Sequence, residues 1–77
     1  MATPLAIAIA EEVRVEMARQ RVTGRQIAEL LGISENTLSH RLAGRYEFRA
    51  SELDKIARYL NVPITNLIPR ESWPAPA

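Results

Sequence analysis

Residues 24–43 read GRQIAELLGISENTLSHRLA, and the spacing within them decides the fold. Ile27, Leu30 and Leu31 recur at i, i+3 and i+4, which draws one apolar stripe along a short helix. Thr23 precedes this helix and Gln26 follows three residues later, the pattern of a capping box that fixes the start near Gly24. Ala28 is small where a crossing helix must approach closely. Gly32 suits a left-handed helix end, which a Cβ disfavours. Ile33 is placed to plug the corner, and Ser34 is a good N-cap for a second helix with Leu38 and Leu42 on its buried side. Two short helices joined by a tight glycine turn are expected.

The outer face of the second helix carries short polar groups and no charge run. At about 100° per residue, Asn36 and His40 point away from the Leu38/Leu42 edge, with Thr37 and Ser39 beside them. Short polar groups of this kind suit base edges better than a solvated surface. The sequence therefore has the form of a helix-turn-helix, whose second helix lies in the DNA major groove with its N-terminal residues on the bases.

Residues 13–68 resemble the Cro/repressor-type helix-turn-helix domain of phage repressors and small bacterial regulators. The matching residues are Thr23, the run IAELLGIS from Ile27 to Ser34, NTLSHRLAG from Asn36 to Gly44, and LDKIARYLNVPITNLI from Leu53 to Ile68. The resemblance implies an all-α, five-helix bundle with helices two and three as the helix-turn-helix. It also implies a sequence-specific, double-stranded-DNA-binding transcriptional regulator, a phage or bacterial repressor or Cro-like protein, commonly a homodimer on a palindromic operator. Two positions depart from the family pattern. Gly24 stands where the family often has a bracing Gln, and Arg41 stands where it usually has an apolar residue, with Leu42 taking the buried role. A slight roll of the recognition helix follows from the second.

The flanking sequence completes the bundle. Thr3 as N-cap and Pro4 at the first helical position start helix one, which runs to about Arg19. Its core stripe is Ile9, Val13 and Met17, with Leu5 a turn earlier. Helix two spans about 24–31, and helix three about 35–43, ended by Gly44. The loop 44–50 holds Tyr46 and Phe48, and Phe48 is the one expected to turn inward. Helix four runs from about Ser51 to Leu60, with Ser51 and Asp54 as its capping pair, Leu53, Ile56, Ala57 and Leu60 as its apolar face, and Asn61 closing it. Pro63 starts a short fifth helix with Ile64, Leu67 and Ile68. Residues 1–68 form the expected DNA-binding domain, and residues 69–77, with three prolines, a flexible tail.

Composition bounds the function. A chain of 77 residues buries about 60–65% of its unfolded surface, so one small domain is expected. There is no cysteine, which removes disulfides and thiol chemistry and suits a reducing cytoplasm, bacterial or phage-infected. The apolar run Leu5 to Ala10 has no preceding base and flows into Glu11 and Glu12, so it reads as a helix start rather than a leader. No run is long enough for a membrane span, and no membrane partner is expected. The formal charge is only +1, but residues 14–49 hold seven Arg against four Glu, an excess of 7 − 4 = 3. His40 is the single histidine, beside Ser39 at a poor angle for catalysis, and there is no Gly-rich phosphate loop. No enzyme activity, metal, cofactor or small-molecule ligand is expected.

Three residue sets carry the expected function. Asn36 and His40 are the first candidates for base edges, with Thr37 and Glu35 second. Asn pairs bidentately with adenine, Glu accepts from cytosine N4, and the Thr methyl meets that of thymine. Glu35 alternatively serves the helix dipole. Arg25, Gln26, Arg41, Arg45, Tyr46 and Arg49 are the phosphate-contact candidates, helped by amides at the starts of helices two and three. Arg41 could instead lay its stem along the core edge, and Tyr46 could pack. Ile64, Leu67, Ile68 and Trp73 are the dimer-surface candidates, with closure of the core as the alternative for Leu67 and Ile68. The competing function is a protein-interaction module on the same scaffold, antitoxin-like or a recruiting subunit. Apolar residues on the outer face of helix three would favour it, and the Asn36/Ser39/His40 set disfavours it.

Overall fold

Capping chemistry sets the limits of each helix in the computed structural model, which describes residues 3–69. Thr3 accepts a hydrogen bond from the Ala6 amide at 3.0 Å, and α1 runs Pro4–Gln20. Thr23 and Gln26 form the expected capping box, and α2 runs Gly24–Leu31. Ser34 accepts from the Thr37 amide at 3.0 Å and opens α3, Glu35–Leu42. The last helix, α4, spans Ala50–Leu60 and is followed by a 3-10 turn over Ile64–Leu67. No strand occurs among the described residues.

Left-handed residues end three of the four helices: Arg21 at φ 56°, Gly32 at φ 69° and Asn61 at φ 56°. Asn61 closes α4 as its composition suggests, because a short polar side chain tolerates this region. The helix α3 stops at Leu42, with Ala43 as a right-handed cap, and Gly44 makes the turn beyond it.

Four expectations about these elements are corrected. The fifth element is a 3-10 turn rather than an α-helix, because only four residues lie in it before Ile68 and Pro69, and Pro69 has no N–H to continue a helix. The opening of α4 rests on Arg49 and Glu52 instead of Ser51 and Asp54: Glu52 Oε1 accepts from the Arg49 amide at 2.8 Å. On α1 the buried line is Ala6, Ala10, Val13 and Met17, whereas Leu5 is exposed and Ile9 only partly covered. Leu67 is fully buried in the core, so it closes the fold and offers nothing to a partner.

The loop after α3 runs hard against the start of α1: a Cβ on Gly44 would lie 2.9 Å from Ile7 Cα. Thr3 Oγ1 also donates to Glu47 Oε1 at 3.1 Å, tying the same two segments. Farther along, Val13, Met17, Ile27, Ala28, Leu38, Phe48, Leu53, Ile56, Ala57, Leu60 and Leu67 form one core, with Ile33 and Leu42 against it. Phe48 turns inward, as its place in the loop suggests. The side chains of α1 also hold two helix ends. Arg14 Nη1 donates to the Leu42 carbonyl at 2.6 Å and Gln20 Nε2 to the Leu60 carbonyl at 2.7 Å, satisfying carbonyls that the ends of α3 and α4 leave open.

Candidate nucleic-acid interface

The α2–turn–α3 unit forms as a tight corner. Gly32 takes the left-handed conformation and the Ile33 amide donates to the Ala28 carbonyl at 3.1 Å. Ala28 and Ile27 are buried, so α2 lies close against the rest of the bundle. Leu38 is the buried anchor of α3, while Glu35, Asn36 and Ser39 are exposed. The outer surface of α3 is thus a row of short polar groups without an apolar platform.

Within that row the side chains differ in freedom. Asn36 is exposed at the second position of the helix. The Thr37 hydroxyl accepts from Ser34 Oγ at 2.9 Å, so the cap orients it. His40 is half-buried, stands edge-on to the Tyr46 ring with centroids 5.9 Å apart, and lies with Nδ1 3.3 Å from Arg45 Nη1. A guanidinium only donates, so Nδ1 is the nitrogen available to accept in this contact. Glu35, in the first turn, also complements the positive end of the helix.

Exposed cationic groups precede and follow this row in the chain. Arg45, Tyr46 and Arg49 are exposed on the segment after α3, with Tyr46 at 61%. Arg25 is exposed on α2 and pairs loosely with Glu29 at 3.4 Å, an i,i+4 contact that water screens. Gln26 has local duties: its Oε1 accepts from the Thr23 amide at 2.7 Å, and its Nε2 donates to Tyr59 Oη at 3.5 Å. Gly24, at the first position of α2, leaves room for a side chain, since a Cβ there would meet only Leu38 Cδ2 at 3.7 Å.

Arg41 is a correction. It was an expected phosphate contact, but its side chain is only 14% exposed and is paired with Glu52, itself 12% exposed. The guanidinium is engaged with this carboxylate rather than free at the surface. Glu52 is the residue that sequence reasoning missed; its visible signal was an acid three residues after Arg49, the spacing of a capping carboxylate. Arg14 was also missed, and periodicity alone marks it only as an outward residue of α1.

The dimer-surface set divides. Leu67 is in the core, Ile64 and Ile68 are half-buried, and Trp73 lies outside the described residues. Among the described residues, no group of three acids or histidines could hold a metal ion. No helix there is long and apolar enough to cross a membrane.

A family model described as helix-turn-helix matches residues 11–67. Among solved structures, the crystal structure of the clp gene regulator ClgR from C. glutamicum matches with a TM-score of 0.76 and 26% identity, covering 84% of this chain and 84% of that one. No curated protein matches the sequence.

Proposed function

The chain belongs to the Cro/C1-type helix-turn-helix family, and from that membership we propose a sequence-specific, double-stranded-DNA-binding transcriptional regulator of the repressor or Cro-like kind, bacterial or phage, acting in the cytoplasm. The observation that carries this reading is the exposed polar row of α3, Asn36 and Ser39, preceded in the chain by exposed Arg25 on α2 and followed by exposed Arg45 and Arg49. The likeness to a structure titled a gene regulator agrees with it.

In this mechanism α3 enters the major groove. Asn36, exposed in the first turn, makes the bidentate contact to adenine. The Thr37 hydroxyl faces its Ser34 partner, which leaves the methyl for a thymine methyl. His40 reads through Nε2–H, a donor suited to guanine N7 or O6, and Glu35 stands at the cytosine edge or stays with the dipole. Arg25, Arg45, Tyr46 and Arg49 grip the phosphates, joined by the first amides of α2 and α3. Gln26 contributes by holding the start of α2 against Tyr59. On a palindromic operator two copies bind as a homodimer, with Ile64 and Ile68 as the described part of the contact.

Selection of bound duplexes from a random pool, followed by mobility shifts, tests the proposal. A defined sequence bound well above random DNA, with two symmetric half-sites, is the expected result. Binding to no duplex at all would remove DNA reading and leave the protein-interaction module, for which α3 supplies no apolar surface.

A further inference from the structure

One carboxylate joins the helix that faces the bases to the segment that faces the phosphates. Glu52 is 9% exposed and its two oxygens have different partners. Oε2 accepts from Arg41 Nη1 on α3, and Oε1 accepts from the Arg49 amide, the residue before α4, at 2.8 Å. Between these contacts lies the stretch 43–49, which carries Arg45, Tyr46 and Arg49. The exposed pairs differ in kind: Arg25–Glu29 and Arg58–Asp54 each lie within one helix, so they fix no helix against another.

Resting on the DNA-reading function above, we propose that Glu52 is a positioning residue for base recognition, holding α3 through Arg41 in a fixed roll against the phosphate-contacting segment. A buried ion pair adds little stability over apolar side chains of the same size, but its geometry is directional. Glu52 is itself held at Oε1 by the Arg49 amide, so its Oε2 contact with Arg41 Nη1 ties α3 to a carboxylate already anchored at the start of α4. Arg41 lies one residue beyond His40, so a roll of α3 released by losing the pair moves the row Asn36–Thr37–His40 relative to the groove. Base contacts need placement within about 0.5 Å, whereas long arginines on a loop follow a phosphate over a wider range. Loosening Glu52 therefore removes discrimination before it removes attraction.

The test compares affinity for the selected site with affinity for a random duplex of equal length, using the full chain and variants whose folding is verified by thermal melting. Glu52→Gln keeps a carbonyl for the Arg49 amide and nearly the same volume, but releases Arg41 and raises the net charge by one. The expected result is a loss of about tenfold on the selected site, equivalent to one good base contact, with random-DNA affinity unchanged or higher. The double variant Arg41→Met, Glu52→Gln removes both charges and leaves no unpaired ion. If the pair served stability alone, this double variant would recover the parent's discrimination. With Glu52 as a positioning residue, discrimination stays lost in a folded protein. An unchanged ratio in Glu52→Gln, or recovery in the double variant, overturns the proposal. Should Glu52→Gln not fold, the double variant decides by itself. A parent that shows no preference among sequences marks a different failure, that of DNA reading as a whole.

Discussion

Asn36 and Arg45 are both exposed and polar, and the proposed function gives them different tasks. Asn36 sits on a capped, buried-anchored helix and presents a donor and an acceptor in fixed relation. Arg45 sits on the segment beyond α3, a single charge on a long stem. Asn36→Ala is expected to cost about 1–3 kcal/mol on the preferred site and little on random DNA. Arg45→Ala is expected to weaken both by similar factors and to lower the salt slope by about one. Paired titrations on the two duplexes, at several salt concentrations, check the contrast, and the reverse pattern would place α3 in the wrong orientation.

The two left-handed glycines make a sharper test of the helix ends than either does alone. A Cβ on Gly32 would meet nothing within 4 Å, so Gly32→Ala carries only the cost of positive φ, about 1 kcal/mol. Gly44 has φ 79° and also faces Ile7 Cα at 2.9 Å, with backbone that a rotamer change does not move. Gly44→Ala should therefore cost about 2–4 kcal/mol, clearly more than Gly32→Ala, in denaturant unfolding. Equal losses would mean that the loop does not press on α1. The same elements show what the sequence makes legible. The limits of α2 and the start of α3 follow from Thr23, Gln26, Gly32 and Ser34, because a cap involves residues only three or four apart. Ala6 and Ala10 were hidden behind Leu5 and Ile9, since hydrophobicity ranks large side chains first. The pairing of Arg41 with Glu52 spans eleven positions and two helices, so no local period announces it. For the same reason the sequence leaves Arg41 open between a phosphate contact and the core edge, and Leu67 between a dimer surface and closure of the core.

A net charge of +1 gives the whole molecule almost no long-range attraction for DNA, so the distribution of charge has to do what the total does not. Of the seven arginines in residues 14–49, Arg41 is neutralised by Glu52, Arg14 caps α3 and Arg19 pairs with Glu16. Arg21 is exposed at the far end of α1, where it closes that helix. Arg25, Arg45 and Arg49 remain as the exposed arginines proposed to meet phosphates. Each phosphate neutralised releases condensed counterions, and the slope of log affinity against log salt is about −0.9 per contact. Three arginines predict a slope near −3 for one copy on a half-site, by the same relation, and about twice that for a homodimer on a full palindrome. Titrations on half-site and full-site duplexes therefore report stoichiometry and charge use together. The same steep slope on both duplexes would mean that one copy makes all the contacts, against the homodimer. A slope near zero on either would show that the arginines do not meet phosphates, and would turn attention from the DNA backbone to another partner for this face. Arg41→Met adds an internal control: because Arg41 is held inside the fold, its removal should leave the slope unchanged, whereas Arg45→Ala should reduce it by about one per copy.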